Sequence, residues 1–142
     1  MKRKILRIRI FYWLGAILDA RVGIILLIRR YLELPDFIRT NGPSANLLGA
    51  LQGVGQACAL MWGWTFLLIW ADRKPLERRG VILLTAFPVV FLLLSNNMHI
   101  VLGGFDTVLN QSINFGIGII LMVFALYCYI EAGKIEKELK LR

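Results

Sequence analysis

The residue order predicts an all-α integral membrane protein built as a four-transmembrane-helix bundle, and three observations carry that prediction. First, 58% of the 142 residues are hydrophobic and the mean hydropathy is +0.66, whereas roughly half the residues of an ordinary soluble domain are apolar. Second, the windows 10–28, 45–71, 80–102 and 107–130 each approach or exceed the about 20 apolar residues that a helix needs to cross a bilayer. Third, thirteen of the 17 Lys and Arg fall in three clusters: Lys2, Arg3, Lys4, Arg7 and Arg9; Arg73, Lys74, Arg78 and Arg79; Lys134, Lys137, Lys140 and Arg142. These clusters precede the first window, separate the second from the third and follow the fourth.

Helices rather than strands are expected. Backbone facing lipid must satisfy its own hydrogen bonds, and the windows lack the short alternating pattern of barrel strands. With an even number of spans, the three basic clusters share one side, which the positive-inside rule makes cytoplasmic. The expectation is therefore one domain over residues 1–142, multi-pass in a cell membrane (a bacterial inner membrane), with both termini in the cytoplasm. Arg29, Arg30 and Arg39 in the first outer connection run against this assignment, while the second outer connection carries no Lys or Arg. Basic segments beside anionic headgroups account for the net charge of +8, so membrane lipids rather than nucleic acid are the expected partners.

The first window opens on Phe11, Tyr12 and Trp13, aromatic residues suited to the headgroup level. A signal peptide would also place positive charges before an apolar stretch, but a small-x-small cleavage site is missing, and Asp19 with Arg21 interrupts the region where cleavage would fall. Residues 29–44 read as a polar connection with breakers at Pro35, Asn41-Gly42 and Pro43. Its Tyr31, Leu32, Leu34, Phe37 and Ile38 are expected to rest on the outer membrane surface. Ser44 is placed to N-cap the second helix. That helix closes on Trp70 and repeats small residues every four positions, Ala45, Gly49, Gly53 and Ala57, with a second strip at Gly55, Ala59 and Gly63. Such strips let membrane helices approach closely.

Residues 73–79 form a short inner turn in which Pro75 stops the second and third helices from merging. Pro88 should kink the third, and Gly103-Gly104 turns the chain toward the fourth. Asp106 stands where an N-cap belongs, with Thr107 as the first helical residue. Tyr127 and Tyr129 mark the inner end of the fourth helix, and residues 131–142 should continue it into the cytosol. There Glu136 and Lys140 stand four apart, and Ile135 and Leu139 form one apolar edge.

The polar residues within this apolar frame are the candidate site. Gln52 and Gln56 share a face of the second helix, Asn110 and Asn114 share a face of the fourth, Asn96, Asn97 and His99 lie at the outer end of the third, and Asp19 falls near the middle of the first. Their depths predict one ligand-binding polar cavity between the membrane centre and the outer surface. A carboxylate at the depth of Asp19 costs about 2.5 kcal/mol or more, so it must meet a partner or water or take up a proton. Arg21 is not that partner, because two residues along a helix point about 200° apart; it snorkels outward or bonds to a neighbouring helix. A structural interhelical hydrogen bond explains Asp19 as readily as a titrating or ligand-binding role does. His99 could carry a proton beside Asp106, since its unperturbed pKa is about 6.5, but an ordinary loop hydrogen bond also accounts for it. The sequon Asn110-Gln-Ser112 is unusable inside an apolar helix.

No metal site or cofactor is expected. Cys58 and Cys128 should differ in depth by roughly 10 Å, too far for a disulfide, and neither has a His or Cys at ligand spacing. Catalysis would call for two or more ionisable groups at one depth, a nucleophile with its base, or a metal set, and none is visible. The leading expectation is a non-catalytic protein that binds a lipid or another amphipathic ligand in the cavity, or serves as a homo-oligomer or a subunit of a membrane complex. The alternative is a membrane enzyme or proton-coupled transporter using Asp19. The general plan is similar to that of many small four-helix bacterial membrane proteins, lipid-binding ones among them, and no motif narrows it to a family.

Overall fold

The computed structural model describes residues 2–42, 44–102 and 108–140, and every regular element among them is helical. The chain divides into two compact units: a hairpin unit, Trp13–Trp70, and a terminal unit, Met1–Tyr12 with Ala71–Arg142.

The first helix, α1 (Lys2–Ile28), does not stop where the apolar window ends. It passes through a π-helical turn, Arg29–Glu33, directly into α2 (Leu34–Asn41), so the stretch expected to be a surface connection is helical up to Asn41. The physical reason is the position of the breakers. Pro35 falls just after the widened turn, in which the Leu34 N–H bonds to the Arg29 carbonyl five residues back, and such a turn accommodates the missing N–H within a continuous helix. The first residue that must end the helix is Gly42. It adopts φ 82° and donates its N–H to the Ile38 carbonyl at 2.8 Å, a left-handed conformation that suits glycine.

The next helix, α3 (Ala45–Asp72), starts as expected: the Ser44 hydroxyl accepts the Leu47 N–H at 3.3 Å. Within the hairpin unit α1 and α3 run antiparallel. Gly15 faces Leu68, Gly23 faces Trp62, and Arg30 faces Gly55, the numbers rising on one helix as they fall on the other. A Cβ at Gly15 would lie 3.0 Å from Leu68 Cδ1, and one at Gly23 3.0 Å from Trp62 Nε1, closer than side chains normally approach. The Cys58 thiol completes the seam by donating to the Gly23 carbonyl at 3.6 Å. Glycine therefore sets the helix separation, but through Gly15 and Gly23, while Gly55 makes room for the Arg30 side chain. Gly49, Gly53 and Gly63 of the strips on α3 face open space.

In the terminal unit α4 (Gly80–Leu84) leads through a π-helical turn, Thr85–Val90, into α5 (Phe91–Leu102). Pro88 lies inside this turn, so the expected irregularity takes the form of a widened turn, a common answer to a lost i→i−4 bond. These elements pack on α6 (Val108–Lys140), with Leu94 seated over Gly118. The first turns of α1 also run antiparallel to α6, where Phe11 meets Phe124 edge-to-face at 5.8 Å between ring centroids. Ile8, Tyr12, Ile82, Cys128 and Ile135 are fully buried there.

Three helical stretches, Arg3–Thr40, Asn46–Asp72 and Phe115–Leu139, are long and apolar enough to cross a membrane, and Gly80–Ser95 is a shorter apolar helix. Their outward faces are oily: Leu60 is 68% exposed and Ile120 69%. A soluble protein rarely leaves wide apolar patches open to water, whereas a hydrocarbon solvent makes such surface the stable one.

Candidate functional site

The hairpin unit contains an open cleft of about 620 Å³ between the end of α1 and the first half of α3. Its geometry begins with the π-helical turn, which carries Arg30 and Tyr31. Arg30 reaches across to α3 and donates from Nη1 to the Leu51 carbonyl at 2.8 Å, while its guanidinium carbon stands 5.7 Å from the centre of the Tyr31 ring. The guanidinium lies where a side chain at position 55 would otherwise be, so a Cβ on Gly55 would overlap it.

Gln52 and Gln56, one helical turn apart, also line the cleft, and Leu27, Leu48 and Leu51 supply its apolar wall. Two primary amides offer donors and acceptors. Among the lining residues the only formal charge is that of Arg30, and none is a carboxylate. The arrangement can accept a molecule that is apolar over most of its length and polar or anionic at one end.

No known protein family, curated protein or solved structure matches this chain.

Of the eight residues predicted to line a cavity, the structure brings Gln52 and Gln56 together in one cleft. Asp19 does not line it: Leu27, the first α1 residue in the wall, is eight positions further on, roughly 12 Å along the helix. Asp19 is half-buried, with no hydrogen bond or ion pair among the described residues, and Arg21 is exposed. Asn96, Asn97 and His99 fall on α5, and Asn110 and Asn114 on α6, but their side chains lie outside the described residues, as do Asp106 and the turn at Gly103-Gly104.

Arg30 and Tyr31 were not anticipated. In the sequence Arg30 is a weak exception to the charge rule, yet its spacing carries a signal. From Trp13 to Arg30 is 17 residues, roughly 26 Å of helix, close to the thickness of a bilayer's hydrocarbon layer.

The terminal unit carries its polar groups differently. Arg9 forms a two-pronged bond with the buried Asp72, Nε to Oδ1 and Nη2 to Oδ2, both at 2.9 Å. Lys4 lies 3.3 Å and Lys134 3.9 Å from the Glu131 carboxylate. Arg79 pairs with Glu136 at 3.2 Å and stands over the Tyr129 ring. Arg7 donates to the Tyr127 hydroxyl at 2.7 Å, and Tyr12 donates to the Arg78 carbonyl at 3.1 Å. Each of these cations already has a partner, so the cluster reads as a clamp rather than a receptor. Among the described residues no group of His, Cys, Asp and Glu is placed to hold a metal ion.

Proposed function

We propose that this chain is a small non-catalytic protein of a bacterial inner membrane, with four spanning helices and both termini in the cytoplasm. In this reading it holds a lipid, or another amphipathic ligand, in the cleft of the hairpin unit, alone or as a subunit of a larger membrane assembly. The span beyond the three long ones, third in chain order, is the helical run from Gly80 through Leu102, supported by the apolar helix Gly80–Ser95. The distribution of Lys and Arg supports the orientation.

The observation that carries the ligand reading is the make-up of the open cleft: a leucine wall beside two amides and a guanidinium. An apolar wall with a few convergent polar groups is the usual form of a small-molecule site.

The experiment is native mass spectrometry of the purified full chain with Leu48→Trp, which fills the cleft, and Leu92→Trp, which alters an exposed position on α5. The first variant should lose co-purifying lipid and the second should keep it. Equal retention in both would remove the basis for a cleft ligand.

The alternative, a titrating Asp19 in an enzyme or proton-coupled transporter, rests on a half-buried carboxylate without a partner among the described residues. Asp19→Asn discriminates: under this alternative it abolishes proton-coupled flux in vesicles while lipid retention in the cleft is unchanged.

A further inference from the structure

Building on the lipid-cleft reading, we infer that the ligand is a lipid with an anionic, phosphate-bearing headgroup, and that Arg30 is the residue that selects it.

Arg30 is held in place before any ligand arrives. One donor of its guanidinium is fixed to the Leu51 carbonyl and one face rests near the Tyr31 ring, and the missing side chain at Gly55 makes room for it. A guanidinium has five N–H donors, so a single bond to a carbonyl leaves most of the planar fork unused. No carboxylate among the described residues pairs with it, although its neighbour Arg29 lies beside Glu33 at 3.8 Å. The terminal unit shows the contrast, since its Arg9 has both prongs on Asp72.

A phosphate is the complement of such a fork, accepting two parallel charge-assisted bonds. Gln52 and Gln56 on the same cleft offer amide donors to the remaining oxygens. The lining holds no carboxylate for the ammonium of a zwitterionic headgroup, so an anionic headgroup fits better than a zwitterionic one. Depth agrees with charge. Arg30 is roughly 26 Å of helix from Trp13, and Gln52, 18 residues from Trp70, is roughly 27 Å from it, both near the thickness of the hydrocarbon layer. Acyl chains attached to a phosphate at this level would descend past Leu27 and Ala59, which lie deeper along α1 and α3.

The test uses the delipidated full chain in detergent, titrated by native mass spectrometry with dioleoyl phosphatidylglycerol, dioleoyl phosphatidylcholine, dioleoylglycerol, which lacks the phosphate, and inorganic phosphate. The unmodified protein should bind phosphatidylglycerol at least tenfold more tightly than dioleoylglycerol and several-fold more tightly than phosphatidylcholine. Arg30→Gln should reduce the first preference to about onefold, Arg30→Lys should retain part of it, and Arg39→Gln should leave it intact.

Gly55→Ala provides a second route that does not delete the charge. Its methyl group must push the end of the Arg30 side chain away, and alanine favours the helix more than glycine does, so the preference should fall several-fold in a folded protein. Equal binding of phosphatidylglycerol and dioleoylglycerol, or a preference that survives both Arg30→Gln and Gly55→Ala, would overturn the headgroup assignment while leaving the lipid cleft standing. Binding of inorganic phosphate in preference to every lipid would overturn the lipid source. Failure of all the lipids to bind would defeat the lipid-cleft reading itself, and the headgroup assignment with it.

Discussion

Glycine joins α1 to α3 in the hairpin unit, where Gly15 and Gly23 sit under Leu68 and Trp62. Charge joins α1 to its neighbours in the terminal unit, where Arg9 meets Asp72 and Lys4 meets Glu131. The same helix thus uses two kinds of contact, and the solvent expected at each level explains why. Within hydrocarbon, helices gain little from burying one apolar face on another, so close backbone approach and dispersion have to hold them. At the membrane edge, long cationic side chains can lie along the helix surface and keep their heads among acids and water. The comparison also isolates Arg30. Unlike Arg9, it bonds to a backbone carbonyl rather than to an acid.

The largest effect that would break this contrast is expected at the glycine seam. Gly23→Leu drives a branched side chain into the Trp62 indole, and overpacking of this kind costs about 3 kcal/mol. Thermal unfolding in detergent should show a marked loss, together with exposure of Cys58 to maleimide. Gly23→Ala should cost much less, because its methyl group needs only a small shift of the indole.

Asp72→Asn comes next. It keeps the shape but removes the charge that Arg9 grips with both prongs. The melting temperature should fall by about 5 °C, with the Cys58 reactivity of the hairpin unit unchanged. An equal rise in Cys58 reactivity would show that the two seams are not independent.

Tyr12→Phe removes the hydroxyl that donates to the Arg78 carbonyl and should cost about 1 kcal/mol, read by the same unfolding assay. Smallest is Lys74→Gln in the exposed turn. Its pair with Glu77 at 2.8 Å is open to water on both sides, so the change should stay within about 0.5 kcal/mol and vanish in high salt.

Much of the helix layout was legible in the order of residues. The ends of α3 and the start at Ser44 followed from an apolar run with a capping residue and a turn proline, both local signals. The π-helical turn at Pro88 was legible as an irregularity but not in its form. The continuation of α1 through Arg29–Glu33 to Asn41 was not legible, because a proline, a polar run and a glycine in close succession resemble a loop. Whether a helix persists there depends on which of its turns the proline occupies. In the candidate site, Gln52 and Gln56 were visible as a polar pair out of place in an apolar helix. Arg30 was not, since an arginine beside the membrane has many uses, and only its partner across the hairpin distinguishes them.

Composition and charge order alone determined the solvent of this protein. They made it helical and membrane-embedded, because hydrocarbon admits few ways to satisfy a backbone and those ways leave long apolar runs in the chain. The tertiary structure decided which glycines set the helix separation, which cations were paired with acids, and that Arg30 lies in the Gly55 notch beside two amides. Those outcomes depend on register between segments far apart in sequence. A shift of one residue along a helix turns a side chain by about 100°, and no local pattern records that register.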